Sequence, residues 1–376
     1  MEKTGYGIYC AGRVRGLLVD SRYLLSGYTS NYMRTLPLLC LTIILSVTFA
    51  CSGSNKQIVT IYSTHGKEVL TEYKRLFEQA HPGVEMQYVD MGSQEALDRI
   101  RSERANPQAD VWWGAPTTMF SQAAGEGLLQ AYKPSWHDKV DKEACDANDL
   151  WYGTYKTPEV IVFNREAIKR EEAPQDWDDV LDPKWKGKII IRDPFASGTM
   201  RTIFAAMIYR WYKDSGSPEQ GYDWLRKLDA NTKEYVLNPT LLSQKLARQE
   251  GLITLWNMPD IETFRAQYNY PFDYVLPRSG TPVLIEGIAI VKGTKNSRLA
   301  EQFYEFVNSE ESLILAATKF YRIPVRKDLA KDRLPEWIRN AESTIEVMPV
   351  DWSVLEEKTG EWMKYWNSNI RNQGAK

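Results

Sequence analysis

The residues best placed to do chemistry in this chain are small hydroxyls and glycines that follow apolar runs. Ile189-Ile-Ile191 is a short β-branched run, Asp193-Pro194 breaks it, and Ser197-Gly198-Thr199 stands where a helix through Trp211 would begin. Such a helix N-terminus carries about half a positive charge and several unpaired N–H donors, so it suits a phosphate, phosphonate or carboxylate without needing a cation. The plainer reading is an ordinary N-cap, since Ser and Thr are preferred there whatever the function. Comparable groups follow other apolar runs: Ser63, Thr64 and His65, then Gly92 and Ser93, then Trp112 to Pro116, and Asp260 after Leu252-Ile-Thr-Leu-Trp256. For the hydroxyls the alternative is turn chemistry, and for Trp112, which points opposite to Trp113 on a strand, it is core packing. His65 and Lys67 either add positive charge to a cleft or are solvated surface. Glu286 stands alone inside the apolar stretch Pro277–Lys292. A lone carboxylate there is costly to bury, so it must pair with an internal cation or face a polar cleft.

The elements that would carry these groups alternate. Gln57–Tyr62 reads as a strand; Val69, Leu70, Tyr73, Leu76, Phe77 and Ala80 fall at helical spacing until His81-Pro82-Gly83; Val84, Met86 and Tyr88 alternate as a strand. A second helix with Leu97 and Ile100 inward leads to a strand at Ala109–Trp113. Strand, helix, strand, helix, strand predicts an α/β fold with parallel pairing and buried sheets. Ligands in such folds gather at the carboxyl ends of the strands, where all of the groups above except Glu286 lie. The middle of the chain repeats this pattern, and the chain from Ser297 onward reads as helical. The histidines at 65, 81 and 137 share no metal-ligand spacing, so neither a metal nor a cofactor is expected.

With 376 residues, 43% hydrophobic and 26% charged, the chain has the composition of a soluble globular protein of two domains. Met33-Arg34 followed by the mostly apolar Leu36–Ala50 and then Cys51 has the layout of a secretory signal at 33–50. The apolar run falls short of the ~20 residues that span a membrane. Residues 1–32 are neither apolar nor periodic and read as an extension before a true start at Met33. Cys51 after Thr48-Phe-Ala50 resembles a lipoprotein box, with Thr48 where Leu is usual, so a lipid anchor at Cys51 is expected in preference to a free periplasmic protein. Residues 1–50 carry five Lys/Arg and two Asp/Glu, which leaves 42 positive and 47 negative residues in the mature chain, net −5. An acidic chain without a basic stripe is not expected to bind nucleic acid.

Three stretches carry a resemblance: Asn106-Pro-Gln-Ala-Asp-Val-Trp-Trp-Gly114; Trp177–Lys188 with Asp193–Thr199; and Gly280-Thr-Pro-Val-Leu-Ile-Glu-Gly-Ile-Ala-Ile-Val-Lys-Gly293. In this order they resemble the bacterial ABC-transporter periplasmic solute-binding proteins of the ferric-iron-binding type, which include phosphonate and sugar-phosphate binders. The resemblance implies two parallel-sheet α/β lobes of the type II periplasmic binding protein kind, joined by segments crossing near 157–164 and 282–288. Lobe 1 would hold 57–157 plus 284–376, and lobe 2 would hold 158–283. It further implies capture of a solute by lobe closure in the periplasm or cell envelope, no enzymatic activity, and an ABC permease and ATPase as partners of a monomer. Iron-binding members use adjacent tyrosines after the strand matching Leu252–Trp256 and often a Glu after the strand matching Val111–Trp113. This chain has Asn257-Met-Pro-Asp260 and Gly114-Ala-Pro-Thr117 there, which argues for an anionic organic solute, a sugar phosphate or a phosphonate. Ser63, Thr64, Ser93, Ser197, Gly198 and Thr199 would hold its anionic head, and Asp260 with Glu286 its hydroxyl or ammonium groups, with His65 and Trp112 alongside. Ferric iron, a polyamine, or a sensing role beside a membrane receptor are the alternatives.

Overall fold

The computed structural model describes residues 56–373. The segment at 1–32, the expected signal at 33–50 and Cys51 lie outside the described residues. The chain begins with β1 (Gln57–Ser63), α1 (Lys67–Ala80), β2 (Val84–Asp90), α2 (Ser93–Ser102), β3 (Val111–Pro116), α3 (Thr117–Gly125) and the short β4 (Leu129–Gln130). β1 pairs in parallel with both β2 and β3, as strand-helix alternation requires. Alternation along β3 sends Trp113 to a core with Tyr73, Phe77 and Phe303, and Trp112 to the opposite face with Leu97 and Phe120.

The long β5 (Tyr152–Asn164) joins the two sheets. Residues up to Pro158 pair with β10, and residues from Glu159 onward pair with β8 and β9, so one strand belongs to two sheets. The second sheet follows: β6 (Ile189–Arg192), α4 (Gly198–Ser215), α5 (Glu219–Asn231), β7 (Thr232–Val236), α6 (Pro239–Ala247), β8 (Ile253–Asn257), α7 (Met258–Tyr268) and β9 (Phe272–Val275). Ile189 and Ile191 face one core and Ile190 the other. Burying each such side chain contributes roughly 1.5–3 kcal/mol. The chain then returns through β10 (Val283–Val291), α8 (Ser297–Val307), α9 (Glu310–Phe320), β11 (Ile323–Pro324), α10 (Glu336–Thr344) and α11 (Trp352–Asn369).

The strand order is β2-β1-β3-β10-β5-β8-β6-β7. Two points differ from the sequence expectation. The sheets are parallel only in β2-β1-β3 and in β7-β6-β8, because the crossing strands β5 and β10 run antiparallel to their neighbours. The C-terminal helix also leaves lobe 1, where 284–376 was placed. Leu355, Trp362, Met363 and Trp366 of α11 complete the core of the second lobe, with Trp366 edge-on to Phe204 at 5.4 Å and Tyr365 stacked on Tyr222 at 4.0 Å.

Candidate functional site

The lobes meet at the carboxyl ends of their parallel strands, where two helix N-termini oppose each other. Ser197 caps α4, its Oγ accepting from the Met200 N–H at 3.2 Å. The N–H groups of Gly198 and Thr199 belong to the first turn, which a helix leaves without internal acceptors. Facing them is the start of α2. A methyl group at Gly198 would lie 2.8 Å from Ser93 Oγ and 2.7 Å from Pro116 Cδ, and one at Gly92 would lie 2.6 Å from the Ala196 carbonyl oxygen. Only glycine lets these backbones approach so closely. Arg201 Nη1 donates to Gln94 Oε1 across the same seam at 3.3 Å, and Tyr268 hydroxyl bonds Glu68 on its far side. A hollow of about 650 Å³ lined by Gly92, Gln94, Arg192, Phe195 and Leu237 marks the outer edge of this seam. Burial lowers Arg192 to about 10, against the pull of Asp260, Asp193 and Asp90. The larger hollow of 1120 Å³, between Asp178–Lys184 and Trp224, lies on the outer surface of the second lobe, away from the seam.

Beneath the seam the crossing strands build a buried polar floor. Tyr155, Thr157 and Glu159 alternate along one face of β5, and Glu286 of β10 is the register partner of Tyr155. Arg322, at the end of α9, is buried and donates to Asp260 Oδ1 at 2.8 Å; its other nitrogen lies 3.8 Å from Glu286 Oε1. Asp260 is otherwise held by Trp256 Nε1 at 3.0 Å and Asn257 Nδ2 at 2.8 Å. Burial works against the charge of Arg322, but Asp260 and Glu286 outweigh it and hold the guanidinium above its ordinary value. Burial pushes Glu286 up to about 7 against the pull of Arg322, and drives Glu159, with Glu286 and Asp260 as its charged neighbours, well above the carboxylate range. His65 Nδ1 lies 3.5 Å from Glu286 Oε2, while its ring meets Trp113 edge-on at 4.3 Å. Burial, and then the Arg322 charge, hold His65 well below its ordinary pKa, so the imidazole is neutral near pH 7.

Two lobes, two crossing strands and a polar interior between strand ends describe a protein that encloses something. The profile of the family described as bacterial extracellular solute-binding protein matches residues 106–342, more than half of the chain. The chain belongs to this family. A probable ABC transporter periplasmic-binding protein of Sinorhizobium fredii is 29% identical over 83% of this chain and 86% of its own length. A putative 2-aminoethylphosphonate-binding periplasmic protein of Salmonella typhimurium is 26% identical over 73% and 80%, and two further relatives are named for iron uptake. The structure of the periplasmic binding protein AfuA of Actinobacillus pleuropneumoniae, with exogenous fructose-6-phosphate bound, superposes with a TM-score of 0.74 at 25% identity, over 84% of this chain and 99% of that one. This chain is therefore the solute-binding component of an ABC importer, with the type II periplasmic binding protein fold.

Within the solute-binding fold, the structure brings most of the expected residues to the cleft in altered roles. Ser93, Ser197, Gly198 and Thr199 lie at the opposed helix ends. Ser63 is wholly buried, its Oγ accepting from the His65 N–H at 3.3 Å, and Thr64 lies against Gly114. Three expectations are corrected. His65 neither adds positive charge nor is solvated surface, because it is buried and neutral, whereas Lys67 is exposed, the second of the two readings given for it. Trp112 takes the packing role, stacked on Phe120 at 4.1 Å, and it is Trp113 that meets His65. Asp260 holds no lone carboxylate towards a solute, since Arg322, Trp256 and Asn257 engage it. The internal cation that Glu286 required is Arg322. Glu159, Arg192 and Arg322 were missed. Glu159 follows Pro158 in an apolar run and Arg322 precedes Ile323-Pro324, so a charge inside an apolar segment, the signal that singled out Glu286, was present for both. The strain at the cleft was equally invisible in sequence: Gly114 and Ala115 have φ of 88° and 106°, the latter costly for a residue with a Cβ.

Proposed function

We propose that this protein captures a small organic solute bearing a phosphate or phosphonate group between its two lobes and presents it to its membrane permease. The observation that carries this reading is the opposition of two helix N-termini from different lobes, at Ser93 and at Gly198–Thr199, with Arg192 and Arg201 beside them. Both dipoles aim positive ends at one place, which an anion bridging the lobes would neutralise. Such a bridge binds the closed state better than the open one and shifts the population towards closure. The protein acts as a monomer and performs no chemistry on its cargo. Residues 33–50 direct export, and Cys51 anchors the mature chain by a lipid to the outer face of the membrane.

The alternative cargo, ferric iron or a polyamine, draws support from the carboxylates of the floor. Against iron stands Arg322, whose guanidinium occupies Asp260 at the strand end where the iron-binding pattern would place tyrosines. Thermal-shift screening of phosphate esters, phosphonates, polyamines and ferric citrate discriminates between them. A phosphate ester or phosphonate is expected to raise the melting temperature by several degrees, and Ser93→Ala with Thr199→Ala to weaken its binding at least tenfold, about 1.4 kcal/mol. Stabilisation by iron or polyamines alone would overturn the reading.

A further inference from the structure

Glu159 is the group that anion capture leaves unused. Its side chain is wholly buried, and neither carboxylate oxygen has a hydrogen-bond partner among the described residues. Burying a carboxylate in this way costs several kcal/mol unless a cation or a donor meets it. Around it, Glu286 Oε2, His65 Nε2 and Thr157 Oγ1 are also buried without hydrogen-bond partners among the described residues, although the Thr157 hydroxyl lies beside the Glu286 carboxyl.

The protein's own cation is already committed. Arg322 bonds Asp260 directly and stands 3.8 Å from Glu286, and His65 is neutral, so the floor holds three carboxyl groups and a single guanidinium already engaged by one of them. Burial holds the proton on Glu159, and the three carboxyl oxygens left without partners match an ammonium, which brings three donors and the positive charge that would let these carboxyls ionise. A sugar hydroxyl would bring one donor and no charge. The anion end is close by: Glu286 is the register partner of Pro116, and Pro116 is the residue that a methyl group at Gly198 would strike.

We propose that Glu159 and Glu286 form an ammonium pocket in the cleft, so that the captured solute is a zwitterion with an amino group a short spacer away from its phosphate or phosphonate. This rests on the cleft's being the solute site and deepens that reading.

The test compares 2-aminoethylphosphonate with propylphosphonate, which places a methyl where the ammonium stands, by isothermal titration calorimetry on wild type and Glu159→Gln. Wild type is expected to prefer the amine by about 100-fold or more, the scale of a desolvated charge pair. In Glu159→Gln the preference should fall below about tenfold while propylphosphonate affinity changes little. An unchanged melting temperature for the variant, or a higher one, shows that it is folded. Equal binding of the two probes by wild type, or a preference that survives in Glu159→Gln, would overturn the pocket. Tight binding of a sugar phosphate with neither phosphonate bound would also overturn the pocket, while leaving the anion cleft standing. Binding of a diamine alone, lost in Glu159→Gln, would keep the pocket and overturn the anion cleft.

Discussion

At the scale of single residues, Glu159 and Glu286 hold their protons more tightly in the folded chain than in the unfolded one, because burial penalises their charged forms. Above the ordinary carboxyl value of 4.5 the unfolded chain has released protons that the native chain still holds, so unfolding becomes easier as pH rises. For Glu286 this window runs from 4.5 to about 7, and for Glu159 it extends higher. Each group removes about 1.4 kcal/mol of stability per pH unit while its window lasts. The solute-free protein should therefore melt at a lower temperature at pH 7.5 than at pH 5, and Glu159→Gln should flatten that decline. Differential scanning calorimetry across this range checks it, and an equally steep decline in the variant would show that Glu159 is not the source. This cost would favour retaining Glu159 only if something in the bound state offsets it, which is the role assigned to the solute's ammonium. Glu286 was legible in the sequence as a lone charge in an apolar run. That Arg322 is its partner was not, because nothing local to Tyr321-Arg322-Ile323 says that the segment pairs with β5 and brings the guanidinium to Glu286.

At the scale of elements, the decisive feature is that α2 and α4 meet end to end. Each start was readable from Gly92-Ser93 and Ser197-Gly198-Thr199, since capping chemistry is local. Their opposition was not, because it depends on how two sheets are joined by β5. Gly198 tests it: φ there is ordinary, so Gly198→Ala costs little within the helix and should even gain a few tenths of a kcal/mol in intrinsic propensity. In the closed cleft, however, the new methyl would sit 2.7 Å from Pro116 and 2.8 Å from Ser93 Oγ. We expect Gly198→Ala to keep its melting temperature but to lose at least tenfold in solute affinity. Small-angle scattering should then show no compaction when solute is added at concentrations that compact the wild type. Compaction like that of the wild type would mean that the two helix ends do not need to touch.

At the scale of the whole molecule, the two lobes are built unequally by the chain. The first draws its core from the start of the described chain and from the segment after β10, with α1 and β1 packed on α8 and α9. The second is closed by α11, which crosses to it after the chain has already returned to the first lobe, and whose Glu356 reaches Ser121 of α3 in the other lobe. Removing residues 352–376 would expose Phe204, Tyr212 and the apolar side of α4 to water. Losing the four buried side chains of α11, with roughly 3–5 kcal/mol for each of the two tryptophans, exceeds much of a domain's total stability. Such a truncation is expected to abolish the cooperative melting transition, and a truncated protein that still melts cooperatively would show that α11 is a dispensable strap.

What the amino-acid sequence determined by itself was everything governed by neighbours along the chain. It specified the strand and helix alternation, the cap at Ser197, the lone charge at Glu286 and, through three stretches matching a known pattern, the solute-binding fold. What only the tertiary structure decided was which groups share a dry interior. Trp112 and Trp113 are adjacent and both buried, yet one stacks on Phe120 and the other meets His65, because successive side chains leave a strand on opposite sides. His65 lost its charge, Asp260 was taken by Arg322, and Glu159 was left without a partner among the described residues, each through contacts between segments 62 or more residues apart or through burial alone. Desolvation depends on the density of atoms around a group, and that density is a property of the packed chain rather than of any stretch of it.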